Sequence, residues 1–103
     1  MEETVSVTLD FTKCKYISEL YREMRTKMHW EEWYGNSLYA IGDILTGMPH
    51  YGNDFTILRP YHYTNIPYGN NKEFEKYVDM ICTVFREAEQ KSDEVKVRIR
   101  YVL

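Results

Sequence analysis

From residue 5 to residue 11 apolar and polar positions alternate strictly, with Val5, Val7, Leu9 and Phe11 set against Ser6, Thr8 and Asp10. A period of two with β-branched residues predicts a strand with one buried face. The period then lengthens: Ile17, Leu20, Tyr21, Met24 and Met28 recur at helical spacing, so 16–28 reads as a helix. Ser18 is its candidate N-cap, with Glu19 favourable in the first turn. Residues 29–36 hold no period and read as a loop rich in aromatics. Asn36 or Ser37 is placed to cap a short helix over 38–46. Leu38, Ile41, Ile44 and Leu45 fall on one side of it, and Tyr39, Gly42, Asp43 and Thr46 on the other. Gly47 supplies its stop and Pro49 bars its resumption.

Residues 54–59 read as a second strand that Pro60 ends, and 60–71 as a loop marked by Pro60, Pro67, Gly69, Asn70 and Asn71. Asn70 followed by Glu73 has the logic of a capping box. The helix it opens runs to about Gln90, with Phe74, Tyr77, Val78, Ile81, Cys82, Phe85 and Ala88 as its stripe. The last segment alternates again, Val95, Val97, Ile99 and Tyr101 opposing Lys96, Arg98 and Arg100. The order β-α-α-β-loop-α-β, with helices between strands, predicts an α/β fold: a three-stranded parallel sheet with right-handed connections and helices packed mainly on one face. The alternation in the first and last strands predicts that the other face is partly exposed.

At 103 residues the chain fits a single domain over 1–103, and its 44% hydrophobic content is enough for a real core. The net charge of −3 lacks the basic footprint that nucleic acid or an anionic membrane wants, and it permits a basic protein partner. Two cysteines, Cys14 and Cys82, are too few for a secreted disulfide framework and form no CxxC pair; they read as buried, reduced thiols of a cytoplasmic protein. Met1-Glu2-Glu3-Thr4 opens no basic-then-apolar run, so no signal peptide is expected, and no apolar stretch is long enough to span a bilayer.

Catalytic chemistry is not expected. His29, His50 and His62 are scattered, neither cysteine sits in an activating motif, and no metal-ligand spacing, phosphate loop or nucleophile–base–orienter set is present. Neither a metal nor a cofactor is implied. Asp43 is either a solvated helix acid or a contact. Gly42 costs its helix roughly 1 kcal/mol against Ala; either it packs beneath a tyrosine of the same chain, or a partner comes close there. Trp33 and Tyr34 either fold back as a lid or join a contact surface. Glu87 either pairs with Lys91 at i+4 or meets a partner. Lys96, Arg98 and Arg100 read as a solvated face that discourages aggregation.

The run from Trp33, Tyr34 and Gly35 through Asn36, Ser37 and Leu38 to Asp43, Ile44, Leu45, Thr46 and Gly47 resembles the barstar family of ribonuclease inhibitors. A shorter match is Val84-Phe85-Arg86-Glu87-Ala88, and Ile17-Ser18-Glu19-Leu20 is also similar. The resemblance implies an inhibitor, an immunity or antitoxin protein, that binds a cognate ribonuclease one to one. It would bind as a monomer and cover a basic active-site cleft with the 30–47 loop and helix. It implies partner-binding roles for Trp33, Tyr34, Gly35, Leu38, Thr46 and Gly47, for Asp43 as central anchor and for Glu87 on the last helix. Tyr39 and Gly42 occupy the same surface where the family often has an Asp and a bulky aromatic, and Met48 stands where a Trp is frequent. These departures leave open a second reading, an interaction module or immunity protein of the same fold whose partner is not a ribonuclease.

Overall fold

The computed structural model describes residues 4–30, 37–47, 53–67 and 69–102. The alternating segments form strands: β1 (Ser6–Asp10), β2 (Asp54–Arg59) and β3 (Lys96–Tyr101). They make a parallel sheet in the order β1-β2-β3, with Val7 opposite Phe55, Phe55 opposite Val97, and Leu9, Ile57 and Ile99 in one row. This register puts the buried positions of all three strands on one face. The other face, with Thr8, Thr56 and Arg98 in one row, stays exposed or half-buried, as the alternation implied.

Among the described residues there are three helices: α1 (Ile17–Met28), α2 (Leu38–Gly47) and α3 (Asn71–Lys91). α1 lies against β1, α3 against β3, and α2 against α3. Ser18 is not the N-cap of α1. That place falls to Tyr16, and the carboxylate of Glu19 reaches back to accept the N–H groups of Lys15 and Tyr16 at 2.8 and 3.0 Å. A carboxylate satisfies two orphan donors at once, which a serine hydroxyl at 18, inside the first turn, does not. His29 ends α1 in the left-handed region, its N–H bonded to Arg25 O at 2.8 Å. α3 opens as expected, Asn70 Oδ1 accepting from Glu73 N at 2.7 Å.

The core is one cluster drawn from every element. Leu20, Met24 and Met28 of α1 and Phe74, Val78, Ile81 and Phe85 of α3 cover Leu9, Phe55 and Ile57 of the sheet. Phe55 and Phe85 meet edge to face at 5.0 Å. α2 is only ten residues long, too short to hold in isolation. Ile41, Ile44 and Leu45 are buried beneath it, each worth about 1.5–3 kcal/mol, and this burial fixes the helix and the direction its other face points. Cys14 and Cys82 are both free and buried.

Candidate partner-binding surface

Ser37 starts α2: its hydroxyl oxygen accepts from Ala40 N at 3.1 Å. With Ile41, Ile44 and Leu45 turned inward, helical periodicity turns Tyr39, Asp43 and Thr46 outward. Tyr39 is 82% exposed. The Thr46 hydroxyl is satisfied within the helix, donating to Gly42 O at 2.9 Å. On α3, residues 84, 87, 88 and 91 fall at i, i+3, i+4 and i+7, one face of the helix turned toward α2.

Between the two helices runs an open groove of about 470 Å³ lined by Leu38, Tyr39, Gly42, Asp43, Thr46, Val84, Glu87, Ala88 and Lys91. Asp43 and Glu87 are both exposed, and neither makes an ion pair among the described residues. The pairing of Glu87 with Lys91 weighed from the sequence does not form, although both side chains line the groove. Elsewhere in the described chain Arg98 holds Asp54 at 2.7 Å, Lys27 holds Glu23 at 3.1 Å, and Arg86 holds Glu89 at 3.1 Å. Among the described residues no tyrosine lies over Gly42. A Cβ built on it would meet Val84 Cγ1 at 3.7 Å, an ordinary contact. Gly47 is the last residue of α2 and exposed, with nothing among the described residues within 4 Å of such a Cβ.

Of the residues singled out from the sequence, Leu38, Tyr39, Gly42, Asp43, Thr46 and Glu87 come together on this groove. Gly47 adjoins it at the end of α2. Trp33, Tyr34 and Gly35 lie outside the described residues, as do Asn36, Met48 and Pro49. The far wall, Val84, Ala88 and Lys91, was not singled out, though its helical spacing with Glu87 is visible in the sequence.

Among the described residues no three His, Cys, Asp or Glu side chains gather to hold a metal ion, and no helix is long and apolar enough to cross a membrane. No curated protein matches the chain significantly. The family model described as "Barstar (barnase inhibitor)" matches residues 4–103, taking in every strand, every helix and both walls of the groove. The chain belongs to the barstar family.

Proposed function

We propose that this protein is an immunity protein that binds a cognate ribonuclease toxin one to one and blocks its active site with the 30–47 loop and helix, assisted by Glu87. The observation that carries this reading is the pair of unpartnered carboxylates, Asp43 and Glu87, on one groove beside an exposed tyrosine. Exposed carboxylates that make no ion pair among the described residues are available to a cationic partner. A cleft that binds an RNA phosphate is lined with cations, and two carboxylates on a rigid helix pair offer it anionic oxygens that are not cleavable. Desolvation on docking strengthens each such contact, and the chain's net charge of −3 steers the encounter with a basic protein. Inhibition then needs no chemistry from this chain, only occupation of the cleft. The family description, which names a barnase inhibitor, agrees with this. The reading takes 1–103 as one inhibitor domain, monomeric before it meets the toxin and acting in the cytoplasm, where a ribonuclease threatens the cell's own RNA.

Tyr39 favours a second reading. At 82% exposed it presents a large ring where relatives often carry an acid, and that change fits a partner that is not a ribonuclease. One assay separates the two. RNA cleavage by a panel of small basic ribonucleases, including the product of the neighbouring gene, is measured with equimolar protein and with Asp43→Ala. Stoichiometric inhibition by the wild type that the variant loses supports occlusion through α2. Capture of one specific partner with no ribonuclease inhibited would transfer the reading to the second class.

A further inference from the structure

Sheet edges are a hazard, because each carries a row of backbone groups that a strand of another molecule can pair with. Both edges of this sheet are outer strands, β1 on one side and β3 on the other. On β1, Phe11 N donates to Leu58 O at 2.8 Å, so odd-numbered residues bond inward and the N–H of Asp10 points away from the sheet. On β3, Lys96 N donates to Asn53 O and Val102 N to Arg59 O, both at 2.8 Å, so the backbone groups of Val97 point away.

The outward N–H groups of Asp10 and Val97 are each taken by a glutamate of the adjacent helix. Glu23 Oε2 of α1 accepts from Asp10 N at 2.8 Å, and Glu89 Oε2 of α3 accepts from Val97 N at 2.7 Å. In both places a cation on the same helix steadies the carboxylate: Lys27 on Glu23 and Arg86 on Glu89, each at 3.1 Å. Arg86 also donates to Val97 O at 2.7 Å. At Val97 an arginine–glutamate pair therefore occupies both the donor and the acceptor of one edge residue, as a neighbouring strand would. The Val97 N–H is also the main reason the Glu89 carboxyl is held below the usual range.

We propose that Glu23 with Lys27 and Glu89 with Arg86 are strand surrogates that cap one position on each edge of the sheet, at Asp10 and at Val97, and so hinder pairing with a second copy of this chain. Charge works in the same direction on β3: a second copy laid antiparallel across a two-fold axis would set Lys96, Arg98 and Arg100 against one another, and like charges directly opposite destabilise a pair. On α3 Glu89 faces the β3 edge while Glu87 lines the groove, so the two carboxylates serve different sides of the helix. The inference stands whether or not the groove's partner is a ribonuclease.

The test begins with the wild-type protein. Amide deuterium exchange, followed residue by residue, should be slower at Asp10 and Val97 than at Thr8 and Ile99, the neighbouring outward-facing positions on the same strands. Equal exchange overturns the proposal. The double variant Glu23→Ala/Glu89→Ala should then keep its circular dichroism, exchange faster at Asp10 and Val97, and sediment as a concentration-dependent dimer. Glu23→Gln/Glu89→Gln, which keeps an acceptor oxygen, should return toward the wild-type profile. A folded double alanine variant that sediments like the wild type at every concentration also overturns the proposal. Should that variant not fold, the wild-type exchange comparison and the glutamine variant decide.

Discussion

Arg59, at the end of β2 and 2% exposed, holds Asp79 of α3, whose side chain is 56% exposed. Its Nε donates to Pro60 O at 3.1 Å, and its guanidinium lies 5.3 Å from the centre of the Tyr101 ring, which stacks on Tyr61. The arginine thus ties the strand end to the middle of the long helix. Breaking a buried pair costs about 3–5 kcal/mol, but water reaches Asp79, so Asp79→Ala should cost less, about 1–2 kcal/mol. Arg59→Ala removes the packed stem as well and should cost about 2–4 kcal/mol. Urea unfolding reads both as midpoint shifts with unchanged slope, and a larger loss for Asp79→Ala than for Arg59→Ala would contradict this account.

Asp43→Ala and Glu87→Ala remove exposed, unpaired carboxylates, so each should leave stability within about 0.5 kcal/mol of wild type. Binding should respond differently. Truncation of a central anchor costs about 2 kcal/mol or more, roughly a thirtyfold loss of affinity. A barstar aspartate is itself a leading example of such a hot spot, so that magnitude is family precedent rather than a consequence of this groove's geometry. Inhibition titrations against the cognate ribonuclease should show the loss for Asp43→Ala and a smaller one for Glu87→Ala. Unchanged titrations in both variants would remove this groove from the interface.

The elements were legible because each strand and helix keeps its own period: two at Val5 to Phe11 and Val95 to Tyr101, helical at Ile17 to Met28 and Phe74 to Ala88. Local pattern does not contain competition between caps, and so Ser18 misled. A serine before a helical stripe looks like a cap until Glu19, one residue on, is seen to reach back across the turn. The near wall of the groove was legible because the apolar stripe of α2 leaves Tyr39, Gly42, Asp43 and Thr46 as the remainder. That α3 would supply the far wall depends on how two helices pack, which neither period states. Arg59 was hidden in plain alternation. It follows Phe55 and Ile57 on the core side, and the contacts that make that place tolerable for a charge, with Asp79 on α3 and the Tyr101 ring, are long-range.

Gly42 gives a test in which stability and binding move in opposite directions. A Cβ there finds Val84 at ordinary contact distance, and Ala is favoured over Gly in a helix by roughly 1 kcal/mol. Gly42→Ala should therefore raise stability by up to that amount, seen as a higher urea midpoint. If the glycine is kept so that a partner can come close to α2, the same variant should bind its ribonuclease more weakly, and Gly42→Leu more weakly still. A more stable Gly42→Ala with full affinity would leave the glycine without a role in recognition.

Cys14 ties the fold to alkaline pH. Burial first, then the carboxylates of Glu19, Glu23 and Asp10, push its thiol up to about 12. Only the thiolate reacts with alkylating agents, so at pH 8 the native Cys14 thiol is ionised far less than a free one. Native protein should resist iodoacetamide at Cys14 and yield only on unfolding, as mass spectrometry of the labelled peptide would record. The linkage has a definite sign. Between the unfolded value near 9 and the folded value near 12 the native state holds a proton that the unfolded chain has released. Stability contributed by the protonated thiol is therefore fully present below pH 9 and falls as pH rises through that window. Tyr21 and Tyr63, whose hydroxyls burial also pushes up, add to the same slope. Urea midpoints measured from pH 8 to 11 should decline, and Cys14→Ser should flatten part of that decline even though it lowers stability at neutral pH. A Cys14→Ser protein with the wild-type slope would show that the thiol takes no part.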